Sequence, residues 1–161
     1  MIGKKDLDLI FGQPVSLSPA LLDSVLRFTL AFSYAEHKIM GGWASTRESR
    51  NYAETLLSEK DFKFDLFENY FLNRYTKENG FEQKFCILCN NDNQSYDQIN
   101  AAFTSNETSN IDRLEALFRV CIRLRNNLFH GEKWSYMLRD QESNLDMATK
   151  FIVAALRHSG E

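Results

Sequence analysis

At 161 residues the chain has room for one continuous core and falls short of the length at which a second domain is expected. Hydrophobic residues make up 43% and charged residues 25%, with only two prolines and seven glycines, which excludes disordered and fibrous classes and leans toward helix. A net charge of -3 excludes a protein that coats nucleic acid by bulk electrostatics, while leaving room for a local cationic site.

Thirteen phenylalanines predict a core of large aromatic plates, or an apolar surface that another chain covers. Three cysteines, an odd number in apolar surroundings, predict a reducing compartment rather than a disulfide scaffold. The first residues, Met1 to Asp6, lack the apolar core of a signal peptide, and no apolar run reaches membrane-spanning length. The expected setting is the cytoplasm.

Residues 1–17 read as an irregular arm, with Gly12, Pro14 and Ser16 as breakers and Leu7, Leu9, Ile10 and Phe11 available for docking. Residues 18–161 form the domain. Ser18-Pro19 opens a helix with a serine N-cap and a proline at the first helical position. Leu22, Leu26, Leu30, Phe32, Ile39 and Met40 carry it to a stop at Gly41-Gly42. Ser45-Thr46-Arg47-Glu48 has the spacing of a capping box, heading a helix through Tyr52, Leu56 and Leu57 to about Lys60. A third helix is expected from Phe62 to Lys77, with an aromatic stripe at Phe64, Phe67, Tyr70, Phe71 and Tyr75, ended by Asn79-Gly80.

The stretch Phe85 to Cys89 is too short for its periodicity to choose between helix and strand. Asn90 to Ser95 reads as a polar loop, Tyr96 to Phe103 as a short helix, and Thr104 to Asn110 as a second connection. The best-patterned segment follows, with Ile111, Leu114, Leu117, Phe118, Cys121, Leu124 and Leu128 on one helical face and Gly131 at the position of a C-cap glycine. A last helix spans about Ser143 to His158, with Leu145, Ala148, Phe151, Ile152, Ala155 and Leu156 inward. The expected architecture is an all-α, up-down bundle of four to five main helices in a single domain.

Most motif-like features have a plain structural explanation. Cys86-x-x-Cys89 has no second Cys/His pair at zinc-like spacing and reads as core cysteines. His37 and His158 are expected on solvated helix faces. The chain has no phosphate-cradling glycine loop, no Gly-x-Ser-x-Gly and no metalloprotease motif, which sets aside the common nucleotide-binding and hydrolase classes. Charge is uneven, however. Ile111 to Arg139 holds six basic residues against three acidic ones, a net +3 within a chain of net -3.

That segment contains Arg123-Leu124-Arg125-Asn126-Asn127-Leu128-Phe129-His130-Gly131. Arg125 to His130 gathers a permanent cation, two amides and a titratable imidazole within a turn and a half. Five helical residues rotate by about 140°, so His130 faces Arg125 only if the helix ends at Leu128 or Phe129 and the chain turns back. Arg125, Asn126 and His130 would then frame one small volume. The structural alternative is that Arg125 and His130 serve the last helix carbonyls and the negative end of the helix dipole.

The run Arg125 to Lys133 resembles the signature of the HEPN superfamily: an arginine, a polar residue, and a histidine separated from the arginine by four to six residues. Arg123 also satisfies the spacing, but Leu124 does not fill the polar position that Asn126 fills after Arg125. The resemblance implies an endoribonuclease that needs no metal or other cofactor and acts as a homodimer, with two copies of the motif in one composite cleft. It further implies a toxin or phage-defence effector with an antitoxin or regulatory protein as partner. In that chemistry His130 moves the proton as general acid or base, Arg125 stabilises phosphate charge, and Asn126 orients the phosphate or the imidazole. Arg123, Asn127 and Lys133 are the candidates for holding the flanking RNA backbone. Two alternatives stand beside it: a HEPN-like module that binds RNA or a protein without cutting, and a helical structural protein in which Arg125 and His130 only cap a helix.

Overall fold

A computed structural model describes residues 4–12, 17–59, 61–129 and 138–160. Among them all regular structure is helical, and the chain forms the expected all-α bundle in a single domain. The helices are α1 (Lys4–Phe11), α2 (Pro19–Ile39), α3 (Ser49–Glu59), α4 (Asp65–Thr76), α5 (Phe81–Cys89), α6 (Asn93–Thr104), α7 (Asn110–Phe129) and α8 (Glu142–Gly160). Among the described residues no helix is long and apolar enough to cross a membrane.

The helix start expected at Ser18 forms as local chemistry requires, and three others differ. Ser18 Oγ accepts from the Leu21 amide at 3.1 Å and begins α2. Asp92 does the same for α6, accepting from the Ser95 amide at 3.0 Å. That cap starts α6 at Asn93 and shortens the polar loop, because Asn90 and Asn91 complete the turn alone with φ of 45° and 67°. The capping box at Ser45 does not close reciprocally. Ser45 Oγ caps a short 3-10 turn, Thr46–Glu48, at the Arg47 amide (3.2 Å), while the Ser45 amide donates to the Tyr52 hydroxyl at 3.3 Å. At the N-terminus, residues 4–11 coil into α1 instead of an irregular arm, and Leu9 and Ile10 face solvent rather than docking.

Phe85 to Cys89, undecided by periodicity, belongs to α5, with Gly80 at φ 73° immediately before it. Phe62 and Phe64 are buried ahead of α4 rather than inside it. The aromatic plates converge on Phe151 of α8, which meets Phe62, Phe67 and Phe118 with ring centroids 5.2 to 6.2 Å apart. Mostly edge-on contacts of this kind contribute beyond simple area burial. His158, expected in solvent, instead packs its ring 5.2 Å from Phe62 and sets Nε2 3.1 Å from the Leu56 carbonyl.

The sequence leaves open which face of α2 is buried. Its buried side chains are Leu21, Ser24, Phe28, Phe32 and Ala35, while Leu22, Leu26 and Leu30 are exposed. This helix is apolar on two faces, and α8 covers only one of them.

Helix α7 runs through the middle, against α3, α4, α5 and α6. Leu114, Leu117, Val120, Cys121 and Ile122 are wholly enclosed. Two opposite charges are buried with them: Arg119 donates from Nε and Nη2 to one oxygen of Glu115, at 3.1 and 3.0 Å. Ser95 accepts from Arg119, and Ser49 and Arg50 reach Glu115, so each buried charge has several partners.

Candidate functional site

The last two turns of α7 carry the arginines and amides that the sequence singled out. Each residue advances about 100° around the helix, so Arg123 and Asn127 share one side, Arg125 points the opposite way, and Asn126 lies between and is drawn to Arg125 by a hydrogen bond. The fold separates them accordingly.

Arg123 and Asn127 face α5. Asn127 Nδ2 donates to the carbonyls of Ile87 (3.1 Å) and Leu88 (3.0 Å), and Arg123 Nε donates to the Leu88 carbonyl at 3.2 Å. Arg123 Nη1 also lies 3.7 Å from the Asp92 carboxylate. These groups satisfy carbonyls that α5 leaves open at its C-terminus, and Asn127 is buried. The structure therefore commits both residues to a helix end, away from Arg125.

Arg125 and Asn126 face α2. Arg125 Nη2 is paired with the Glu36 carboxylate, and Nη1 donates to Asn126 Oδ1 at 2.9 Å. The guanidinium lies 5.5 Å from the Phe32 ring and 5.9 Å from the Trp43 ring, at cation-π range. Glu36 is held in turn: its Oε1 accepts from the Ala44 amide at 3.1 Å. That contact requires the chain to fold back after α2, which the positive φ angles of Gly41 (68°) and Gly42 (89°) permit. The side chains of Arg125 and Glu36 each retain 19% exposure.

Together these residues line a cleft of about 680 Å³ between the C-terminal half of α2 and the end of α7. Thr29 and Ser33 add hydroxyls to its wall. Its rim is aromatic, with Trp43 74% and Phe129 63% exposed. Beside it, Leu22, Leu26, Leu30 and Tyr34 form an exposed stripe along α2 at four-residue spacing.

The expected cationic patch is largely neutralised. Arg113 pairs with Glu68 and Asp65, Arg119 with Glu115, Arg123 with Asp92 and Arg125 with Glu36. His130, Gly131 and Lys133 lie outside the described residues. Among the sequence-derived site residues, Arg125 and Asn126 are thus brought together, whereas Arg123 and Asn127 are placed elsewhere. The cleft adds Glu36, Phe32, Trp43 and Phe129, which no local motif marks.

The cysteines behave as core or as surface, not as a pair. Cys86 is exposed, whereas Cys89 is buried and burial pushes its thiol up to about 12. Burial also pushes the Cys121 thiol upward. Among the described residues no group of three or more His, Cys, Asp or Glu side chains is placed to hold a metal ion. No protein-family model, curated protein or solved structure matches the chain.

Proposed function

We propose that the chain is a metal-independent endoribonuclease of HEPN type that works as a homodimer. The observation that carries this reading is Arg125 at the wall of an open, aromatic-rimmed cleft, held by a carboxylate, five residues before His130 in sequence. A carboxylate and a phosphate offer similar paired oxygens to a guanidinium, so RNA phosphate is a natural replacement for Glu36. Trp43 and Phe129 supply π faces on which unstacked bases rest without sequence preference.

In the reaction the RNA 2'-hydroxyl attacks the adjacent phosphorus and the bond to the 5'-oxygen breaks. A 2',3'-cyclic phosphate and a 5'-hydroxyl remain. His130 transfers the proton, taking it from the 2'-hydroxyl or giving it to the departing oxygen, with its twin in the second copy serving the other end. Arg125 stabilises the charge that gathers on the phosphoryl oxygens. Asn126, bonded to Arg125 Nη1, fixes the orientation of the guanidinium fork. The exposed α2 stripe beside the cleft supports a second copy docking there, and an antitoxin would compete for the same surface.

The Arg125–Glu36 pair also favours a second reading, in which the module binds RNA or a protein without cutting. Both are tested by incubating wild type and His130→Ala with bulk RNA in EDTA, followed by end-group analysis and sedimentation. Cleavage by the wild type alone, with cyclic phosphate ends and a dimeric particle, is the expected result. Equal cleavage by His130→Ala, or a strict monomer under cleaving conditions, would sink the composite site. Intact RNA with salt-sensitive binding would leave the second reading standing.

A further inference from the structure

A second cavity lies on the opposite flank of α7, enclosed by α4, α5, the end of α7 and the start of α8, with a volume of about 200 Å³. One side of its wall is aliphatic, from Ile87, Leu88, Leu124, Leu128, Leu138 and Leu145, and the other carries polar side chains such as Gln83 and Gln141. One strong charge is buried there. The side chain of Arg74 is 4% exposed, and its Nε has no hydrogen-bond partner.

A buried guanidinium ordinarily has well-formed anionic partners. Arg74 has a short bond from Nη2 to the Asp140 carbonyl, 2.7 Å, but its carboxylate contact is long: Asp140 Oδ2 lies 3.4 Å from Nη1. That carboxylate is 69% exposed and is shared with Lys84 Nζ, also at 3.4 Å. Lys84 has a carboxylate of its own, Glu78 Oε2 at 2.6 Å from Nζ, so the deficit falls on Arg74, whose buried charge has one long carboxylate contact and an unpaired Nε.

We propose that this cavity binds a small carboxylate with a compact apolar body, whose carboxyl group takes the place of Asp140 on Arg74. The volume sets the size of that body. A dry cavity of about 150 Å³ accepts benzene, whereas drug-sized ligands need about 300 Å³ or more. One ring or branched chain plus a carboxylate fits between these limits. The aliphatic side disfavours inorganic phosphate, which would enter with no apolar surface to bury. Because Asp140 is largely exposed, its side chain is free to swing into water when the ligand carboxylate replaces it. The site is distinct from the Arg125 cleft and does not depend on the ribonuclease reading.

Phenylacetate is a suitable probe, with phenylacetamide as its neutral isostere and inorganic phosphate as the apolar-free control. Calorimetric titration of the full chain should show one phenylacetate site, at least about tenfold tighter than phenylacetamide or phosphate. Asp140→Asn, at an exposed residue, should tighten phenylacetate binding severalfold by removing the competing carboxylate. Ile87→Trp, which fills the cavity, should weaken it about tenfold or more. No binding by the folded wild type up to about 10 mM, equal binding of the amide, or indifference to Asp140→Asn overturns the proposal.

Discussion

Within its last two turns α7 carries the same pair of side chains twice, an arginine and an asparagine on each of two sides, and the two pairs meet opposite fates. Arg123 and Asn127 meet backbone carbonyls of α5, which cannot move away while that helix is folded. Arg125 and Asn126 meet a carboxylate on a side chain, beside open space. Identical chemistry becomes a permanent brace on one side and an exchangeable contact on the other. What separates them is the nature of the partner, backbone or side chain, rather than the donor.

The sharpest way to break this comparison is to remove one arginine from each side. Arg125→Ala should lower RNA cleavage by about a thousandfold, the scale expected for a group that stabilises developing charge, and Arg123→Ala should leave cleavage per folded molecule unchanged. Asn127→Ala comes next. It takes the side-chain donor from the Ile87 carbonyl and one of two donors from the Leu88 carbonyl, and should cost about 1–3 kcal/mol in denaturant unfolding, without altering turnover by the folded fraction.

The α5 end that Asn127 braces also contains Cys89, whose thiol is held up to about 12, and Cys121 is shifted in the same direction. The unfolded chain therefore releases thiol protons that the fold retains. Stability from this source is complete below about pH 8.5 and falls as pH rises, by about 2 kcal/mol per thiol at pH 10. Urea unfolding midpoints at pH 8 and pH 10 measure it. The same protection should confine alkylation of the folded protein to exposed Cys86, and Asn127→Ala should add Cys89 to the reactive set. The smallest effect belongs to Glu36→Gln. Replacing that anion should tighten binding of a 2'-O-methyl RNA by about twofold to fivefold, read by fluorescence anisotropy, since a part-exposed ion pair is worth about 1 kcal/mol or less.

The sequence was most informative where the determinants are local. The cap at Ser18 and the apolar spacing of α7 depend on neighbours a few residues away, and they form, while the equally local Asp92 cap lies in a stretch that reads as a polar loop. Leu22, Leu26 and Leu30 mark α2 as a helix without showing which way they face, because it has two apolar faces and only the position of α8 decides which one is core. The same limit applies at the site. Arg125 stood out by the amide that follows it, but Glu36 lies 89 residues earlier on another helix and nothing in its local sequence ties it to Arg125. Arg123 and Asn127 were indistinguishable from their neighbours until the rotation of α7 within the bundle was known.

That rotation is itself specified by the ion pair between Glu115 and Arg119. A helix lined only with aliphatic side chains can slip or turn against its neighbours at little cost, since one leucine replaces another. Two charges one turn apart act as a key cut for a single lock, because Ser49 and Ser95 receive them from α3 and α6 in one register only. Sliding α7 by one turn, about 5.4 Å, would leave both charges facing hydrocarbon. Arg125 lies six residues beyond Arg119, about 9 Å along the axis, and inherits this setting. The aim of the guanidinium at the cleft is thus determined deep inside the bundle, before any partner arrives at the surface.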